Sequence, residues 1–270
     1  MHERISVNSL CFPGAELPEM ATFWRELRPH RISFVSSLLG DDLSVPQAII
    51  EAGAYRFESM THLFWDGGHV DPRHETWAEQ RAKLSRVIDA VAALGGRSIY
   101  MMTGGHGDLT WEQAAESFCA AIAPCVARAG AAGVKLMIEP APPLYADMHL
   151  VHSLRDTVTL AEMAGIGVCI DVFCCWAEAG LKQTIADAMP RCGLVQVADY
   201  VYGDRSLPSR AVPGDGSIPL RGILDWALSA GYTGAFDLEL IGPRIDAEGH
   251  LDATRRAAGN LGDLLGSLGA

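Results

Sequence analysis

The chain has 270 residues, 49% of them apolar, and a formal net charge of −12 at pH 7. That charge argues against nucleic acid or an anionic membrane as partner, and no uninterrupted apolar run approaches the roughly 20 residues of a membrane span. The length suits one large core, read as a single domain over residues 1–270. Of seven cysteines, Cys11, Cys119, Cys125, Cys169 and Cys192 lie inside apolar patterns. They read as buried thiols in a reducing cytosol, not as a disulfide framework. The start, Met1-His-Glu-Arg-Ile-Ser-Val, is strand-like and shows no signal-peptide apolar region, so a cytoplasmic location is expected.

Along the chain, short β-rich runs alternate with longer Ala-rich helical patterns. The first strand is expected near 5–11 and is followed by a helix near 18–28; a strand near 31–36 leads to a helix near 46–52. A third strand, near 54–60, precedes a helix near 75–94, where Trp77, Leu84, Val87, Ile88, Val91 and Leu94 recur at helical spacing and Gly95-Gly96 supplies a stop. After a strand near 97–102, Thr110 followed by Glu112 and Gln113 suits the N-cap of a helix over 110–132, which Pro124 is expected to interrupt and kink. Strands near 134–139, 166–171, 193–198 and 235–240 then pair with helices near 153–164, 178–189, 217–230 and 250–267.

Eight βα units in this length fit a (β/α)8 TIM barrel; an open doubly wound sheet is the competing architecture. The barrel is favoured because Leu10-Cys-Phe-Pro-Gly follows the first strand in place of a Gly-rich dinucleotide fingerprint. Polar residues also stand at strand C-terminal ends, the catalytic face of such barrels.

Four of those polar residues carry the chemistry: Glu139, Asp171, Gln196 and Glu239 end the fifth to eighth strands. Each alone could be a turn or cap residue. Buried together, carboxylates are costly unless a cation compensates them, so three carboxylates and an amide oxygen on neighbouring strands point to one divalent metal ion. An all-oxygen set suits Mg2+ or Mn2+ better than a soft-ligand metal. Cys174-Cys175 lack a second Cys or His cluster at metal spacing, and Thr103-Gly-Gly-His-Gly-Asp108 lacks the Lys-Ser/Thr of a phosphate loop. His106 and His62 follow strands four and three and are candidates for binding substrate hydroxyls, with a structural role equally open. Trp65 sits at a strand exit and could line a pocket; Met101, Met102, Trp77 and Trp111 read as packing. Arg210 opens a Pro/Gly-rich loop, Arg210 to Pro219, that could hold a guanidinium over the site or simply act as a lid; Ser217 can begin the next helix.

At Met137-Ile-Glu-Pro, Ile170-Asp-Val-Phe, Val195-Gln-Val-Ala-Asp199, Arg210-Ala-Val-Pro-Gly-Asp-Gly and Gly231-Tyr-Thr-Gly-Ala-Phe-Asp-Leu-Glu239, the sequence resembles the sugar phosphate isomerase/epimerase superfamily. These xylose-isomerase-like barrels include ketose 3-epimerases, hydroxypyruvate isomerase and dehydroshikimate dehydratase. The motifs cover the C-terminal half; the N-terminal half matches by general βα pattern.

The resemblance implies that Glu139, Asp171, Gln196 and Glu239 bind the metal, that Glu139 and Glu239 form an acid/base pair, and that Arg210 contacts substrate. Many members have His where Gln196 stands, although hydroxypyruvate-isomerase-like members have Gln. Cys174 stands at a substrate-binding position that is His in many members, and Tyr145 replaces the second substrate-side glutamate of ketose 3-epimerases. The expected activity is isomerisation or epimerisation of a sugar or keto acid by proton abstraction beside a carbonyl. Metal-dependent β-elimination is the alternative, and a non-catalytic sugar-binding barrel is a third reading. An unphosphorylated carbohydrate or keto acid is the expected partner, with a homodimer or homotetramer as the expected assembly.

Overall fold

The structure is a computed structural model and describes residues 1–66 and 68–270. Apolar runs form eight strands: β1 Ile5–Asn8, β2 Arg31–Val35, β3 Arg56–Leu63, β4 Ser98–Met102, β5 Lys135–Ile138, β6 Gly167–Asp171, β7 Cys192–Val197 and β8 Phe236–Leu238. Each pairs in parallel with the next, and β1 pairs with β8, closing a (β/α)8 barrel. Amphipathic helices cover its outside: α1 Leu17–Leu27, α2 Ser44–Gly53, α3 Trp77–Ala93, α4 Trp111–Ala132, α5 Leu154–Ala164, α6 Val172–Cys175, α7 Leu181–Ala188, α8 Leu220–Ser229, α9 Pro243–Glu248 and α10 His250–Ser267. The short helices α6 and α9 carry no sequence periodicity long enough to announce them. No helix among the described residues is long and apolar enough to cross a membrane.

Local signals act largely as the sequence suggests. Thr110 Oγ1 accepts from Gln113 N at 3.3 Å while Gln113 Oε1 accepts from Thr110 N at 3.0 Å, a capping box that starts α4. The helix nonetheless runs on through Pro124 instead of being interrupted there. The expected first strand stops at Asn8, whose side chain accepts from Leu10 N at 2.9 Å and turns the chain into a 3-10 turn. Cys11, Cys125 and Cys169 are buried as expected, but Cys119 and Cys192 are only half-buried.

Alternation along the strands splits the buried residues into two cores. Ile5, Val7, Ile32, Phe34, Met60, Ile99, Met101, Ile138, Val168, Val195, Phe236 and Leu238 face the helices in one large cluster. The opposite faces fill the barrel. On the β4–β8 side that filling is apolar, formed by Tyr100, Met137, Cys169, Leu194 and Ala235. Around β1 and β2 it is polar: Ser6 Oγ lies 3.0 Å from Ser33 Oγ, Ser33 donates to Asp237 Oδ1 at 2.9 Å, and Asn8 donates to Asp237 Oδ2 at 2.8 Å and to Tyr100 Oη at 3.0 Å. This network ties β8 to β1, β2 and β4 just beneath the mouth. Burial pushes the Asp237 carboxyl up to about 6 against the hydrogen bonds from Ser6, Asn8 and Ser33.

Candidate active site at the C-terminal mouth

Glu139 continues the inward face of β5 beyond Met137, and Asp171 follows Cys169 on β6. Gln196 follows Leu194 on β7, and Glu239 continues the inward face of β8 beyond Asp237. Strand alternation therefore turns all four side chains inward, and the register sets Asp171 beside Gln196. All four are buried. Asp171 also caps α6, its Oδ1 accepting from Phe173 N at 2.9 Å.

Arg210 reaches into the same cluster. Its Nη2 meets Asp171 Oδ2 at 2.6 Å and Glu239 Oε1 at 2.9 Å, and its guanidinium carbon lies 4.7 Å from the Phe173 ring centroid. Burial disfavours its charge, but Asp171 and Glu239 outweigh that and hold the guanidinium firmly protonated. Gln196 donates its amide to Glu239 Oε2 and accepts from Cys169 Sγ at 3.2 Å. Cys174 donates to Asp171 Oδ2 at 2.9 Å, and burial and Asp171 push its thiol well up. Tyr145 is half-buried, and its phenol, raised by burial, feels the charges of Arg210 and Glu239.

The two glutamates are electrostatically joined. Burial raises the Glu139 carboxyl, and Glu239 and Asp171 raise it further while Arg210 opposes. Glu239 is raised by burial as well, with Arg210 and the Gln196 bond pulling it down. Among the described residues no hydrogen-bond donor reaches the Glu139 carboxylate.

Three sequence candidates fall outside this cluster. His62 pairs in register with Met101 and shares a face of β3 with Met60, so it turns to the helix layer; its Nδ1 lies 3.0 Å from Ser36 Oγ and burial lowers its imidazole to about 4. Trp65 packs into the outer core edge-on to Phe64, with ring centroids 4.7 Å apart. His106 is exposed and its Nδ1 lies 2.9 Å from Gly107 O.

Two supporting residues stand out only in three dimensions. His149, fully buried, accepts from Thr103 N at 3.0 Å through Nδ1 and donates from Nε2 to Glu139 O at 2.6 Å, pinning the ends of β4 and β5 together. Asp199 accepts from four backbone amides, Tyr200, Gly214, Gly216 and Ile218, at 2.8–3.0 Å. This wraps the Arg210 loop around one carboxylate. Gly216 is required there, since a Cβ would lie 2.2 Å from Asp199 Oδ1. Two surface cavities, of about 610 Å3 between α1 and α2 and about 640 Å3 beside α7 and α8, include none of the four strand-end residues.

The donor set is chemically fit for a hard divalent cation. It offers three carboxylates and an amide, with no donor among the described residues on the Glu139 carboxylate and a guanidinium already standing in as positive charge between two of the carboxylates. No group of three or more His, Cys, Asp or Glu is preassembled as a metal cage among the described residues, in keeping with Arg210 lying inside the cluster.

A family model described as the xylose isomerase-like TIM barrel matches residues 19–261. No curated sequence relative matches. Similar solved structures include a protein of Sinorhizobium meliloti 1021, 23% identical, with a TM-score of 0.84 over 98% of each chain. An L-ribulose 3-epimerase is 18% identical, with a TM-score of 0.80 over 98% of this chain and 95% of the other. The IolI protein with a zinc atom is 14% identical, with a TM-score of 0.82 over 98% and 99%. At these identities the likeness is one of fold.

Proposed function

The chain belongs to the xylose isomerase-like TIM barrel family, and on that premise we propose that it is a divalent-metal-dependent isomerase or epimerase of a small sugar or keto acid, built as one domain over residues 1–270. The observation that carries this reading is geometric: Glu139 and Glu239 are buried side chains turned inward from the ends of β5 and β8 at one barrel mouth, with Asp171 and Gln196 on the strands between them. Two carboxyl groups held on different sides of one site can take a proton from a substrate carbon and return one. A fold neighbour that is an L-ribulose 3-epimerase and another that holds zinc support the substrate class and the metal.

Glu139, Asp171, Gln196 and Glu239 would hold the ion, Mn2+ or Mg2+ by their oxygen chemistry. When bound it supplies Lewis-acid polarisation of a substrate carbonyl. The chain's own residues do the rest. Glu139 takes the proton from the carbon beside the carbonyl. Glu239 returns one to the opposite face for epimerisation, or to the adjacent carbon for aldose–ketose isomerisation. Arg210 positions substrate oxygens, and Tyr145 and Cys174 border the same space.

One observation favours a second reading, β-elimination. Tyr145 places a protonated phenol near Arg210 and Glu239, a donor suited to a departing β-hydroxyl. Incubating Mn2+- or Mg2+-loaded protein with a panel of carbonyl sugars and keto acids in deuterated water, read by mass and NMR, tests both. A stereoisomer or positional isomer carrying deuterium supports the first reading and an α,β-unsaturated product the second. No exchange with any compound argues against both.

A further inference from the structure

The acceptor capacity of Asp171 is fully used by the chain itself. Oδ1 accepts from Phe173 N at 2.9 Å and Arg210 Nη1 at 3.3 Å, and Oδ2 accepts from Arg210 Nη2 at 2.6 Å and Cys174 Sγ at 2.9 Å. An ionised carboxylate offers about four lone-pair sites, so a cation can ligate Asp171 only by displacing a donor. The Phe173 amide is fixed by the N-terminus of α6 and the thiol is a weak donor. Arg210 contributes two of the four contacts and also holds Glu239 at 2.9 Å, with Gln196 on the other Glu239 oxygen. A guanidinium cannot escape by losing its proton.

We propose that Arg210 is an internal competitor of the divalent ion for Asp171 and Glu239, and so the residue that sets the affinity of the site for metal. This rests on the metal reading above. With Asp171 and Glu239 holding an ion, the Arg210 guanidinium would give up its contacts to both carboxylates and would be available to substrate oxygens. By linkage the coupling is reciprocal: a ligand that engages Arg210 raises metal affinity by the same factor that metal raises affinity for the ligand. The barrel thus keeps its buried carboxylates compensated by one cation or the other.

The test is calorimetric titration of Mn2+ into chelator-treated wild-type protein, Arg210→Gln and Arg210→Lys, with circular dichroism to confirm folding. Arg210→Gln is expected to bind Mn2+ roughly tenfold more tightly or better, within the usual span of coupling between two sites. Arg210→Lys keeps the positive charge among the buried carboxylates, but a single ammonium lacks the fork that holds both of them. It should show a smaller gain, and it decides the matter if the Gln variant does not fold. Equal or weaker Mn2+ affinity in the folded variants overturns the competition while leaving the metal reading intact. Absence of Mn2+ binding in all three proteins overturns both.

Discussion

Replacing His149 with Phe tests how the proposed base is held. The ring volume is kept, but Thr103 N–H loses its acceptor at 3.0 Å and Glu139 C=O loses its donor at 2.6 Å, both in a fully buried setting. Each stranded group costs about 1–3 kcal/mol, so the variant should lose about 2–6 kcal/mol at neutral pH. The pH dependence gives a second handle. Burial, with a smaller push from His152, lowers the imidazole from 6.5 to about 4, against the bond to Glu139. The unfolded chain therefore binds a proton on His149 below its ordinary value while the folded chain does not. The stabilisation is complete above that value and is lost as pH falls toward about 4. At about pH 5 the wild type should have lost about 2 kcal/mol through this residue, a loss that Phe cannot suffer. Urea unfolding of both proteins at about pH 7.5 and about pH 5 should show the stability gap narrowing by about 2 kcal/mol, since the groups common to both proteins cancel. A gap unchanged with pH, or one below about 1 kcal/mol at neutral pH, would refute this account of His149.

Asp199→Asn leaves one acceptor oxygen for the four amides that Asp199 now holds. It should cost about 2–4 kcal/mol and speed hydrogen exchange over residues 211–218, measurable by mass spectrometry. Glu58→Ala removes the carboxylate that Arg31 meets at 2.5 Å near the N-terminal end of the barrel and leaves Arg31 its bond to Glu3 O. Loss of this part-buried, charge-assisted bond should lower stability by about 1.5–3 kcal/mol in urea while solvent exchange of substrate hydrogen stays at the wild-type rate. Treatment with a chelator should abolish that exchange, and added Mn2+ should restore it; exchange that survives chelation would contradict metal dependence.

Much of the fold can be read directly from the sequence because each βα unit signals itself locally, by apolar strands, Ala-rich periodicity and glycine stops. Strand alternation then lets Glu139, Asp171, Gln196 and Glu239 be read as one inward-facing set from their places at strand ends. The errors trace to strand length. β3 runs to Leu63 where the expected strand stopped at residue 60, so His62 lies within the strand on its helix-facing side and not in a mouth loop. Trp65 follows into the core for the same reason. His149 and the Asn8–Asp237 network could not be read, because their partners lie far away in the chain and a lone histidine in a loop carries no pattern. Arg210 stands out in the sequence as a candidate from its Pro/Gly loop, but its simultaneous contact with Asp171 and Glu239 depends on the packing of β6 against β7 and β8.

The central claim is that Glu139 and Glu239 move protons at a carbon beside a carbonyl. Its most direct test is deuterium incorporation from solvent into a turned-over substrate by Mn2+-loaded wild type, Glu139→Gln and Glu239→Gln. The prediction is incorporation by the wild type and none by either folded variant. Full incorporation by both variants would contradict it.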